Sequence, residues 1–300
     1  ALGSTSFDIL FKLSDNRDTF NLVSFAFVLT MVAFFFKVGA APFHMWICDV
    51  YEGSLLSVTS FFAIVPKTVI FYLLFKIFFV TFSSYGELWS SGFILIGLLS
   101  VGVGSITALY QKKTKRLLAY SAVGHVGFIL LGISSGTVDS IKSVLIYLVI
   151  YMIMNIGIFA LIIGFSKNGL SLKYLINWSF LKKWNVILAL TFAILFFSVA
   201  GIPPLAGFFS KFGIILTLIL QENLFTSLTL IIFSCIGCFY YIRLIKILFF
   251  GASNIHISIN GFASKELEFC LALSTLVICF LLLNPNFLVN IIFYITLWLN

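Results

Sequence analysis

The chain has 300 residues, 61% hydrophobic and only 9% charged, with a mean hydropathy of +1.17 and a net charge of +8. That balance excludes a soluble domain of this size. Apolar stretches of about 20 residues recur along the whole length, each able to cross a hydrocarbon core about 30 Å thick, so the class is an all-α polytopic membrane protein.

The first segment, Phe7 to Asn21, is polar and charged, so no cleavable signal peptide is visible. Ala1 in place of methionine leaves open a processed chain or a start further upstream. Eight spans follow, near Leu22–Ala41, Leu55–Phe79, Gly92–Tyr110, Leu117–Ser134, Ile141–Phe165, Val186–Leu220, Phe225–Phe249 and Leu267–Leu283. The sixth is too long for one straight crossing. It holds the breaker Ala200-Gly201-Ile202-Pro203-Pro204-Leu205-Ala206-Gly207, followed by Lys211. The last stretch, Phe287–Leu299, is short and apolar, placing it at the membrane interface or against a neighbour.

An even number of spans returns both termini to one side, so the loop charges test the count. One side carries Lys112, Lys113, Lys115, Arg116, Lys167, Lys173, Lys182, Lys183 and Lys265, and the other only Lys12, Arg17 and Lys142 besides Lys76 near a span end. The basic side is therefore expected to face cytoplasm or an organelle matrix, with both termini outside. This reading of the surplus charge displaces nucleic-acid binding. The five cysteines lie mostly in or beside apolar segments without partner ligands, which argues against a disulfide framework or a metal site.

Three lysines lie at membrane depth, each with proline nearby: Lys37 before Pro42, Lys67 after Pro66, and Lys211 after Pro203 and Pro204. Each costs roughly 2.5–3.5 kcal/mol to insert at mid-bilayer, so a chain that keeps them there is expected to use them. Proline removes a backbone donor, and an ionisable group beside a helix break suits an ion or proton pathway. The plain reading is snorkelling to the interface. It fits Lys76 and Lys246 well, but Lys67 and Lys211 poorly, since apolar residues extend on both sides of each. Desolvation disfavours the ammonium form of an amine, which is how such a group comes to load and release a proton.

His125, the only histidine inside a span, has Tyr120 and Ser121 one turn away and Gly124 and Gly127 beside it. It reads either as a hydrogen-bonded packing residue or as a proton carrier between lysines. Tyr151 and Asn155 in the next span suit water along the same route or ordinary core packing. Asp49 and Glu52 follow the first span and read as a solvated turn, or as support for the broken helix and a proton uptake route. No span contains a buried Asp or Glu, so the lysines lack a carboxylate partner at membrane depth.

FKVGAAPFHMWICDVYEGS, KRLLAYSAVGHVGFILLGISSGT, FSVAGIPPLAGFFSKF and IGCFYYIRLIKILFF occur in that order between Phe34 and Phe250. Together they resemble subunit 2 of NADH:ubiquinone oxidoreductase, respiratory complex I, within the antiporter-like subunits related to Mrp cation/proton antiporters. The resemblance implies fourteen spans with two inverted five-helix repeats, each with a discontinuous helix. In that frame Lys37, Lys67 and Lys211 match the lysines of the seventh, eighth and twelfth helices, and His125 the histidine of the tenth. Residues 1–80 then complete the first repeat, 92–250 form the second, and 266–300 add a C-terminal helix and an interfacial segment, all in a single membrane domain.

The family pairs its seventh-helix lysine with a glutamate on the fifth helix, which this chain lacks. A separate chain is expected to supply the N-terminal helices and that buried glutamate. The function implied is proton translocation in the membrane arm of NADH:ubiquinone oxidoreductase, coupled to quinone reduction elsewhere. The expected setting is the mitochondrial inner membrane, with basic loops facing the matrix and both termini the intermembrane space. Expected partners are other membrane-arm subunits and lipids. NADH, FMN, iron–sulfur clusters and ubiquinone would belong to other subunits, since no dinucleotide motif or cysteine cluster is present. The alternatives are an Mrp-like sodium/proton antiporter subunit and a structural arm subunit without conduction.

Overall fold

The computed structural model describes residues 20–82, 85–167, 172–251 and 264–297. Among them the chain is a bundle of helices. α1 (Phe20–Val38) and the short α2 (Met45–Gly53) flank a first break. α3 (Leu56–Phe75) runs on through a π-helical turn at Lys76–Thr81, followed by α4 (Gly86–Tyr110), α5 (Thr114–Ser134) and α6 (Val138–Lys167). A 3₁₀ turn (Leu175–Phe180) and α7 (Leu181–Trp184) lead into α8 (Val186–Ala200) and α9 (Ala206–Leu220), which flank a second break. α10 (Leu224–Phe250), α11 (Lys265–Leu283) and α12 (Asn286–Leu297) complete the chain.

Six helices are long and apolar enough to cross a membrane, namely α3, α4, α5, α6, α10 and α11. With α1 and the α8/α9 pair they correspond to the eight expected spans. α12 packs on α6, where Lys142 Nζ lies 5.2 Å from the centre of the Phe293 ring.

The two breaks share one construction. α1 stops because Gly39 takes φ +76°, with Gly39 N–H donating to Phe36 O and Ala40 N–H to Phe35 O. α8 stops in the same way at Gly201, φ +79°, with Gly201 N–H donating to Ser198 O and Ile202 N–H to Phe197 O. This left-handed termination satisfies the last carbonyls and favours glycine. Three residues beyond each glycine stands a proline, Pro42 or Pro204, and Pro203 precedes the latter. A serine then ties each break down: Ser100 Oγ on α4 accepts from Ala41 N–H at 2.9 Å, and Ser198 Oγ accepts from Gly207 N–H at 3.2 Å.

Pro66 does not break its helix, contrary to the sequence expectation: α3 is continuous from Leu56 to Phe75 with Pro66 inside it. The position three residues ahead is Ala63 and not a glycine, so no residue there readily takes a positive φ to end the helix. One missing N–H alone is tolerated in a membrane helix.

α5 is buried along most of its length. It sits so close to α4 that a Cβ on Gly104 would lie 2.5 Å from the backbone nitrogen of Gly124, and one on Gly127 would lie 2.7 Å from Gly97 O. Small residues at such a crossing let backbones meet, as membrane helices require where no solvent drives them together. That packing, with α6 and α9 on other sides, puts the face of α5 bearing His125 in the interior.

Candidate functional site

Lys67, His125 and Lys211 are all buried, with 5%, 6% and 8% of their surfaces exposed. The structure gathers them by way of tyrosines on two other helices, α6 and α10. Lys67 Nζ on α3 donates to the Tyr151 hydroxyl at 3.5 Å and lies 5.8 Å from that ring's centre. The Tyr151 ring stands 5.1 Å from the His125 ring, centre to centre. His125 is hydrogen bonded on both sides, Nδ1 to Tyr147 OH at 2.5 Å and Nε2 to Tyr241 OH at 3.3 Å.

On the far side, His125 and Lys211 line one small cavity together with Tyr240, Tyr241, Ser121 and Ser234. Lys211 Nζ donates to Ala200 O at 2.7 Å and lies 5.4 Å from the centre of the Phe128 ring. Ala200 is the last residue of α8, so the ammonium sits at the negative end of a helix dipole beside a carbonyl left without a helical donor. Cys238 Sγ also approaches Ala200 O at 3.1 Å. The break in α8/α9 thus makes the binding place for the lysine on α9.

Such a row of groups has the chemistry of a proton relay. Amines, imidazole and phenols both donate and accept when neutral, and each lies within reach of the next or of a shared cavity. His125 bonded at both nitrogens can take a proton on one and give it up on the other.

Not every residue named from the sequence joins this line. Lys37, in the last turn of α1, is exposed on the same side as Phe25, Leu29 and Phe36 and enters none of the ion pairs among the described residues. Sequence position locates Lys37 along the span but does not tell which face of α1 it occupies. Asn155 Nδ2 donates to Tyr151 O at 2.8 Å and so closes on its own helix. Glu52 on α2 ion-pairs with both Lys113 and Arg116 of the loop and first turn of α5, while the Asp49 side chain is 81% exposed with Arg116 3.9 Å away. Glu52 therefore fastens the second half of the broken first helix to the bundle. Its carboxyl is held below the usual carboxylate range, first by the Lys113 hydrogen bond and also by Arg116, against the opposing cost of desolvation. Tyr120, expected beside His125, instead faces His44, with ring centres 6.1 Å apart.

Sequence reasoning missed Tyr147, Tyr241 and His44. Tyr147 lies four residues before Tyr151 on α6, a spacing that puts both on one helix face and was the available signal. Tyr241 meets His125 only through the packing of α10, which no local pattern announces. His44, at the start of α2, is buried with Nδ1 lacking a hydrogen-bond partner among the described residues.

Fold and site together define a polytopic membrane protein with two interrupted helices and a buried line of lysine, tyrosine and histidine. Residues 1–237 match the family described as NADH:quinone oxidoreductase/Mrp antiporter, TM, and the chain belongs to that family. It is 40% identical over 255 residues to NADH-ubiquinone oxidoreductase chain 2 of Marchantia polymorpha, covering 85% of this chain and 51% of that one. It is 38% identical over 256 residues to NADH-quinone oxidoreductase subunit N of Rhodospirillum rubrum, covering 84% and 52%. The chain thus spans about half the length of these relatives. Among solved structures, a chain of respiratory complex I from Thermus thermophilus with bound aureothin superposes with a TM-score of 0.73 at 26% identity, over 87% of this chain and 57% of that one. A chain of the Mrp complex from Dietzia sp. DQ12-45-1b reaches 0.80 at 18% identity, over 97% and 61%, a likeness of fold alone.

Proposed function

We propose that this chain carries protons within the membrane arm of an NADH:quinone oxidoreductase, along Lys67, Tyr151, His125 and Lys211, driven by quinone reduction in other subunits. The observation that carries the reading is the placement of two buried lysines on either side of a histidine that is hydrogen bonded to tyrosine at both nitrogens. The identity to chain 2 and subunit N relatives supports the enzyme context.

The same reading gives Lys37 a place. Its exposed side of α1 is covered in the assembly by membrane protein that presents a carboxylate to it, extending the relay beyond the described residues. Other membrane-arm subunits are the partners, and the relatives from plants point to the mitochondrial inner membrane. The basic loops then face the matrix, following the bias of Lys and Arg. The division into repeats at 1–80 and 92–250, with 266–300 added, belongs to this reading too.

The test is NADH-driven proton uptake by membrane vesicles containing the assembled complex with Lys67→Met or Lys211→Met. Proton uptake is expected to collapse while NADH oxidation by an artificial acceptor, which reports only the redox arm, persists. Full proton uptake in either variant would refute the assignment.

A further inference from the structure

At the basic end of the bundle, where α3 and α5 begin and α6 ends, lies a cleft of about 500 Å³ that the relay does not use. Its walls are mainly apolar, with Leu55, Leu56, Ile162, Ile163 and Leu172, and its rim carries Lys113, Lys115 and Lys173. The one carboxylate present, Glu52, is already engaged by Lys113 and Arg116. Lys115 gives one of its N–H groups to Ser54 O at 2.5 Å, which leaves two. Lys173 is held in place through its backbone, since Thr114 N–H donates to Lys173 O at 3.0 Å and Leu175 N–H to Lys112 O at 3.0 Å.

Two helix N-termini open into the same cleft. The N-cap residues, Leu55 of α3 and Lys113 of α5, make no side-chain cap, and neither helix has an acidic residue in its first turn. The positive ends of two helix dipoles add to the lysines, so the cleft suits an anion that none of the described residues supplies. An anion with no apolar part would leave most of the walls uncovered.

We propose that this cleft seats a diacyl phospholipid with an anionic headgroup, its phosphate at Lys115, Lys173 and the start of α3 and α5, its acyl chains along Ile162, Ile163 and Leu55. The position suits the ligand, because the ends of three helices place it at headgroup level, where a basic side attracts anionic lipid. The neutralised helix ends would also steady the segment that Glu52 fastens to α5.

The full chain, purified in detergent and equilibrated with either phosphatidylglycerol or phosphatidylcholine, is examined by native mass spectrometry for retained lipid. Wild type is expected to prefer phosphatidylglycerol by about tenfold, and Lys173→Gln to lower that preference about fivefold. Lys265→Gln, which removes the same charge from the start of α11, is expected to leave it unchanged. Ser57→Asp separates binding from folding: an acid in the first turn of α3 supplies the missing negative charge, so melting temperature holds or rises while the preference falls about tenfold. Equal retention of the two lipids, undiminished preference in Ser57→Asp, displacement by inorganic phosphate alone, or a polypeptide found in the cleft in place of lipid would each overturn the proposal.

Discussion

Lys211 and Ala200 meet across an interrupted helix: the Nζ of one donates at 2.7 Å to the backbone oxygen of the other. The break frees a carbonyl, and the ammonium replaces the lost helical donor. Lys211→Met is expected to lower proton translocation by at least about tenfold, a change of roughly 1.4 kcal/mol in the barrier. Stability should change by less than about 2 kcal/mol, because Cys238 remains near the carbonyl and the charge that cost energy to bury is gone. Lys211→Arg keeps the charge but cannot release it, so it should abolish translocation as completely as methionine does. Proton uptake in vesicles and thermal melting in detergent measure the two effects separately.

Tyr151 joins Lys67 to His125 with two different parts of its side chain, the hydroxyl on one side and the ring on the other. Tyr151→Phe removes only the hydroxyl. A single hydrogen bond is worth about 0.5–1.5 kcal/mol net, so the proton translocation rate is expected to fall roughly two- to tenfold, less than in Lys67→Met. An unchanged rate in the phenylalanine variant would show that protons reach Lys67 by another route.

The spans were legible because apolar runs of membrane length leave few alternatives, and the breaks at Gly39 and Gly201 were legible because glycine and proline occur together there. Pro66 misled because proline by itself removes one hydrogen bond without turning the chain, whereas Gly39 and Gly201 supply the left-handed residue that ends the helix at each break. Lys67 and Lys211 could be picked out because charge is rare and costly at that depth. Tyr147 carried only its four-residue spacing from Tyr151 as a signal, and Tyr241 carried none, since tyrosine is ordinary in membrane helices and its meaning here comes from contacts between α5, α6 and α10. Lys37 shows the remaining limit: position along a span sets depth, whereas the face it occupies depends on what packs against α1.

The approach of α4 to α5 buries His125, and where Gly104 meets Gly124 it tolerates substitution of one of the two glycines only. A Cβ at Gly104 would meet Gly124 N at 2.5 Å and Tyr120 O at 2.9 Å, both backbone atoms that cannot swing away. Gly104→Ala is therefore expected to cost about 1–3 kcal/mol despite alanine's better helix propensity. At Gly124 an added Cβ meets nothing within 4 Å, so Gly124→Ala should be neutral or stabilise by up to about 1 kcal/mol. Thermal melting of the two variants checks the contrast, which a general intolerance of glycine replacement would not produce.

Glu52 makes stability depend on acid in a stated direction. Its carboxyl is held below the usual range, chiefly by the Lys113 hydrogen bond, with Arg116 adding to the effect. A depressed value means that the folded chain holds the carboxylate more readily than the unfolded chain does. The stabilisation is then fully present above the unfolded value near 4.3, and it is lost as pH falls through the lower folded value. Melting temperature measured from pH 7 down to about pH 3 is expected to fall more steeply in wild type than in Glu52→Gln, with the two curves converging at the acid end. Because Glu52 ties α2 to α5, the first region to loosen should be the short helix after Pro42, read by faster amide exchange across Met45–Gly53 than in the central helix Thr114–Ser134. Parallel pH curves for the two proteins would show that these ion pairs do not hold the broken helix in place.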